Sequence, residues 1–88
     1  MRYSITRLCG GKAIMASPRE MLCIDMDSAP AILSSVGSIG KHDDMMIVMS
    51  WKGMEVTVYP QGKVMFHPLE ERETAIAYAD EILRMLVG

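Results

Sequence analysis

Met54-Glu55-Val56-Thr57-Val58-Tyr59-Pro60-Gln61-Gly62-Lys63-Val64-Met65-Phe66-His67 is the stretch on which the fold turns. Val56 and Val58 alternate with Glu55, Thr57 and Tyr59, the period-2 pattern of a half-buried strand. Pro60-Gln61-Gly62 interrupts it, with proline setting φ for a turn and glycine accepting a left-handed conformation. Placing Tyr59 opposite Lys63 pairs Val58 with Val64 and Val56 with Phe66 on one face. Glu55, Thr57, Tyr59, Lys63, Met65 and His67 then fall on the other. The stretch is a hairpin.

Upstream, Met45-Met46-Ile47-Val48-Met49-Ser50-Trp51 predicts a strand apolar on both faces, joined to the hairpin through Lys52-Gly53 as a three-stranded meander. Downstream, Glu70 to Val87 predicts a helix in which Ala75, Ile76, Ala79, Ile82, Leu83 and Leu86 form one apolar stripe. Its glutamates gather at the start and Arg84 lies near the end, as the helix dipole favours. Asp27-Ser28-Ala29-Pro30 opens a second helix that ends near Gly37 and buries Ile32, Leu33 and Val36. Gly37 to Asp44 reads as a loop. Alternation of Leu22, Ile24 and Met26 predicts a strand there, although Ser17-Pro18-Arg19-Glu20 also fits the start of a helix. Arg2 to Leu8 and Lys12 to Ala16 can pair around Cys9-Gly10-Gly11. The expected architecture is one α+β domain: two layers, an antiparallel sheet of meander and N-terminal strands, and two helices on one face.

Composition narrows the function classes. The chain has 88 residues, half of them apolar and 23% charged, with mean hydropathy +0.17, which fits a single globular domain. Ser28 to Gly40 is its longest uncharged stretch and holds four serines, so no membrane insertion is expected. Arg7, Lys12 and Arg19 break the early apolar runs, and no secretory signal is expected either. The expectation is a cytoplasmic protein. Charge is uneven: residues 1–20 carry +3 and residues 68–88 carry −3, within a net −2. A general nucleic-acid binder needs a basic excess, so that role is disfavoured beyond a local basic edge at Arg2, Arg7, Lys12 and Arg19.

The order of strand, helix, meander and long helix resembles one half of the archaeal TATA-box-binding protein. Val56 to Phe66, with its Gly62-Lys63 turn, and Glu73-Thr74-Ala75-Ile76-Ala77 carry the likeness, over about the last half of the chain. That family wedges phenylalanines between base steps and joins two tandem halves. Here the one phenylalanine, Phe66, is assigned to the helix-covered face, and there is a single half. The resemblance therefore implies a sheet with one face free for a partner. The methionine-rich first half also resembles small accessory proteins of methanogenic archaea, which implies an accessory subunit of an archaeal metabolic complex.

The candidate site is the open side of the hairpin: Tyr59, Lys63, Met65 and His67, joined by Met45 and by Met49 or Trp51. Aromatic and methionine side chains suit interfaces, and this surface is expected to dock a protein partner or a second copy of the chain. The alternatives are that the N-terminal strands fold over it, or that the same face binds nucleic acid with help from Arg2, Arg7, Lys12 and Arg19. Cys9 and Cys23 are redox candidates, Cys9 being flanked by Arg7 and Lys12. Cys9, Cys23, His42 and His67 lack zinc-ligand spacing, and Met45, Met46 and Met49 serve a strand better than copper(I). Gly37-Ser38-Ile39-Gly40-Lys41 misses the phosphate-loop spacing. The adjacent pairs Asp43-Asp44 and Glu70-Glu71 offer no acid–base couple. No metal, cofactor or catalysis is expected.

Overall fold

Backbone hydrogen bonds close the Tyr59–Gly62 turn in the registration the side chains require. In the computed structural model, which describes residues 2–87, Gly62 N–H donates to the Tyr59 carbonyl and Tyr59 N–H to that of Lys63, both at 2.9 Å. Gly62 sits at φ +99°, and a Cβ there would lie 2.9 Å from both Leu22 and Pro18. Glycine thus serves the turn and the chain packed against it. The turn joins β5 (Met54–Val58) to β6 (Val64–His67), with Val56 opposite Phe66 and Val58 opposite Val64. Lys52 and Gly53, both left-handed at φ 51° and 77°, form the two-residue turn from β4 (Ile47–Trp51). That backbone matches the right-handed twist of the strands it connects.

Before the meander come β1 (Tyr3–Leu8), a 3-10 turn (Cys9–Gly11), β2 (Ala13–Pro18), the short helix α1 (Ala29–Leu33) and β3 (Ser38–His42). A long helix, α2 (Arg72–Val87), follows it. The sheet is antiparallel throughout in the order β1-β2-β6-β5-β4-β3, and both helices pack on one face. This is the α+β two-layer fold.

One row of side chains defines the covered face. Ile14, Phe66, Val56 and Met49 stand opposite one another across β2, β6, β5 and β4, and all are buried. Ala75, Ala79, Ile82 and Leu83 of α2 and Leu33 of α1 close over this face. Trp51 and Tyr78 meet edge to face at 5.1 Å, with Phe66 within 6.4 Å of each. Lys52 Nζ lies 4.8 Å from the Trp51 ring and 3.6 Å from Glu81, which ties the β4–β5 turn to α2.

Three expectations are corrected. Residues 21–26 form no strand: β2 pairs directly with β6, and this segment packs across the Pro60 turn at the end of the sheet instead of along a strand. Their alternation survives as burial: Leu22, Ile24 and Met26 turn toward the core while Met21, Cys23 and Asp25 face solvent. Ile24 N–H is anchored on the Pro60 carbonyl at 2.9 Å. Conversely, the expected loop at Gly37–Asp44 contains strand β3. A register shift between Ile39 and Lys41, and near-complete exposure, erased its hydrophobic pattern. Finally, α1 stops at Leu33, and Ile32 and Val36 are exposed. Ala29 and Leu33 alone form its buried stripe.

At the β1 edge, the Tyr3 hydroxyl donates to Asp80 Oδ1 at 3.1 Å and Arg84 Nε donates to Oδ2 at 2.6 Å. The Arg84 bond above all, with help from Tyr3, holds the Asp80 carboxyl below the usual aspartate range. Burial, then the bond to Asp80, pushes the Tyr3 phenol up to about 12.

Two outcomes follow from this packing. Phe66→Ala should cost about 3–5 kcal/mol in urea denaturation, the range for truncating a fully buried phenylalanine. Because the Asp80 pKa is depressed by folding, its contribution is present above the unfolded value near 3.9 and is lost as pH falls through the folded value. Asp80→Asn should therefore flatten the loss of stability between neutral and acidic pH, measured by urea midpoints across that range.

Candidate functional site

The strand pairing that buries one row exposes the next. Thr6, Met15, Met65, Thr57, Val48 and Lys41 stand opposite one another from β1 to β3 on the face away from the helices. Met15, Met65 and Val48 are half-buried, and Thr57 at the centre is only 4% exposed between its neighbours. Glu55 and His67, directly opposed, lie on one side of this row and are exposed. Lys63, also exposed, and half-buried Tyr59 lie on the other. The face thus has an apolar middle of two methionines and a valine, with a polar and charged margin.

The N-terminal strands do not roof this surface. β1 and β2 extend the sheet at its β6 edge, and Met15 becomes the direct neighbour of Met65. Tyr59, Lys63, Met65 and His67 therefore share one face, as their alternation requires. Met49 and Trp51 do not join them. Met49 is opposite Val56, and alternation carries Trp51 to the same side, where they are 1% and 5% exposed beneath the helices. The strand was apolar on both sides, so its sequence gave no phase. Met45 precedes β4 in a turn and is exposed beside Asp43, whose Oδ1 accepts the Met45 and Met46 N–H groups at 2.7 and 3.0 Å. Those bonds, Met45 first, hold the Asp43 carboxyl below its usual range. Asp43 shapes the entry to β4.

Sequence reasoning missed Met15 and Val48. Ala13-Ile14-Met15-Ala16 does alternate, but only the pairing with β6 shows that Met15 lies beside Met65. Beyond Lys63, a groove of about 240 Å³ lies between the Gln61–Lys63 turn and Ser17–Leu22, with Met21 fully exposed on its wall.

The two thiols are held apart. Cys9 is in the β1–β2 turn, left-handed at φ 52°, at the end where Leu69 N–H bonds to the Lys12 carbonyl. Cys23 adjoins Ile24, which bonds to Pro60 at the other end. The six residues of β2 between these ends span roughly 17 Å, whereas a disulfide needs Cα atoms within about 7 Å. A Cys9–Cys23 bridge does not fit this fold, although each thiol is exposed. Among the described residues, no three His, Cys, Asp or Glu side chains gather as metal ligands, and no helix is long and apolar enough to cross a membrane. Comparison with protein-family models, with curated proteins and with solved structures finds no match for the chain.

The two faces of β6 should respond differently to substitution. Met65→Thr should change stability by no more than about 1 kcal/mol in urea denaturation, since threonine suits a pleated surface and no helix covers the site. A loss as large as that expected for Phe66→Ala would show that the chain itself packs over Met65.

Proposed function

We propose that this chain is a non-catalytic binding module, a small accessory protein that docks a protein partner through its helix-free sheet face. The observation that supports this most is the row of Met15, Met65, Thr57 and Val48, apolar at its centre and uncovered by either helix. Methionine is unbranched and polarisable, so it adapts to irregular surfaces. A drier middle inside a margin of Tyr59, Lys63, His67 and Glu55 has the arrangement of a protein interface.

Size bounds the contact. Six strands about 4.8 Å apart and roughly 17 Å long present a plane of about 400 Å². A stable interface usually takes about 800 Å² from each partner. The face is accordingly the centre of a contact that includes its margins, or the whole of a transient one. Nucleic acid fits less well. Single strands bind by stacking bases on aromatic side chains, and Tyr59 is the one aromatic assigned to this surface, Phe66 and Trp51 being buried on the other.

Replacing Met15 and Met65 together with aspartate is the test. Sedimentation velocity on the purified protein, with quantitative affinity capture from the source cells, should show the wild type's complexes lost in the variant while its circular dichroism is unchanged. Recovery of the same complexes by a folded Met15→Asp, Met65→Asp protein removes the sheet face from consideration. Capture of nucleic acid in place of protein, with strong salt dependence, would replace this reading by the nucleic-acid one.

A further inference from the structure

Three arginines far apart in sequence are brought to one groove at the β1 edge. Arg19 N–H donates to the Arg2 carbonyl at 2.9 Å, continuing the ladder past Tyr3 and Pro18, so Arg2 and Arg19 are the next opposed pair. Like charges directly opposite one another destabilise a strand pair. Arg72, at the start of α2, stands across the groove, one helical turn before Ile76. Arg2, Arg19 and Arg72, with Tyr3 and Ile76, are the residues around an open cavity of about 320 Å³.

Within the protein this positive charge is only partly balanced, by Glu20, which follows Arg19 in the chain and whose charge reaches Tyr3. Among the described residues, Arg2 and Arg19 have no carboxylate within 4 Å. Arg72 has Glu73 at 3.8 Å, a carboxylate 85% exposed and so a weak partner. Asp80, beyond Tyr3, is already engaged by Tyr3 and Arg84. The high pKa of the Tyr3 phenol, about 12, keeps that ring neutral, so it adds no negative charge to the groove.

We propose that this groove is a binding site for a small phosphomonoester, whose dianionic phosphate is held by Arg2, Arg19 and Arg72. Guanidinium forks match phosphate oxygens bidentately, and a dianion converts the Arg2–Arg19 repulsion into two attractions. The cavity is at the lower end of the range for small-molecule sites and is larger than a lone oxyanion requires. Half-buried Ile76 gives the rest of the ligand an apolar contact. A long polyanion is a poorer fit. The chain carries net −2, and Glu70, Glu71 and Glu73 flank Arg72 along the sequence.

The experiment is a titration of the whole protein, followed by ¹H–¹⁵N NMR at fixed ionic strength, with phenyl phosphate and separately with inorganic phosphate. Phenyl phosphate should perturb residues 2, 3, 19, 72 and 76 saturably and bind more tightly than inorganic phosphate. Arg19→Gln should weaken it about tenfold, and Arg2→Gln, Arg19→Gln, Arg72→Gln combined should abolish it with the fold retained. Unchanged binding in the triple variant, or perturbations centred elsewhere, overturns the site. Equal affinity for both probes overturns the ester assignment. Tighter binding of a single-stranded oligonucleotide at the same residues overturns the small-ligand assignment. None of these outcomes depends on Met15 or Met65, whose replacement tests the proposed protein contact.

Discussion

Phe66 is paired on both sides, with Val56 of β5 and Ile14 of β2, and this double registration is the constraint on which the molecule depends. In a sheet, a slip of one residue reverses every side chain. The Val56–Phe66–Ile14 row therefore decides which side α2 covers, and with it which side is left to solvent. Tyr59, Lys63, Met65 and His67 share a surface because their neighbours cannot. Trp51 and Met49 are buried for the same reason, carried inward by the Met49–Val56 pair.

Legibility in the sequence followed how strongly each segment was constrained locally. The Met54–His67 hairpin could be read to the residue, since turn chemistry and alternation point to one registration. The N-terminal hairpin and α2 were readable too, by glycine placement and helical period. Edge strand β3 was not, because a strand with little burial has no reason to alternate. Residues 21–26 misled in the opposite way. Leu22, Ile24 and Met26 alternate to reach the core from a segment that crosses the end of the sheet without joining it. Periodicity reports burial, and pairing is a separate matter.

The same distinction explains how much of the site was visible. Hairpin residues could be assigned to faces, but β4, with Val48 apolar on one face and Ile47, Met49 and Trp51 on the other, was not phased until its partner was known. Met15 and the arginine groove are products of topology. Residues 2, 19 and 72 have no local pattern in common, and only the closing of β1 on β2 with α2 alongside brings them together. The fold separates two kinds of surface: a broad, weakly polar plane away from the helices, and a narrow cationic recess beside α2.

The burial of Trp51 has a spectroscopic consequence. It is the chain's only tryptophan, and it lies against Tyr78 and Phe66 at the seam between sheet and long helix, with the Lys52 ammonium over its ring. Its intrinsic emission therefore reports separation of the two layers as a red shift on hydration, and a ligand arriving at the far side of the sheet leaves that colour unaltered. The molecule carries its own optical gauge of layer separation, insulated from its outer plane.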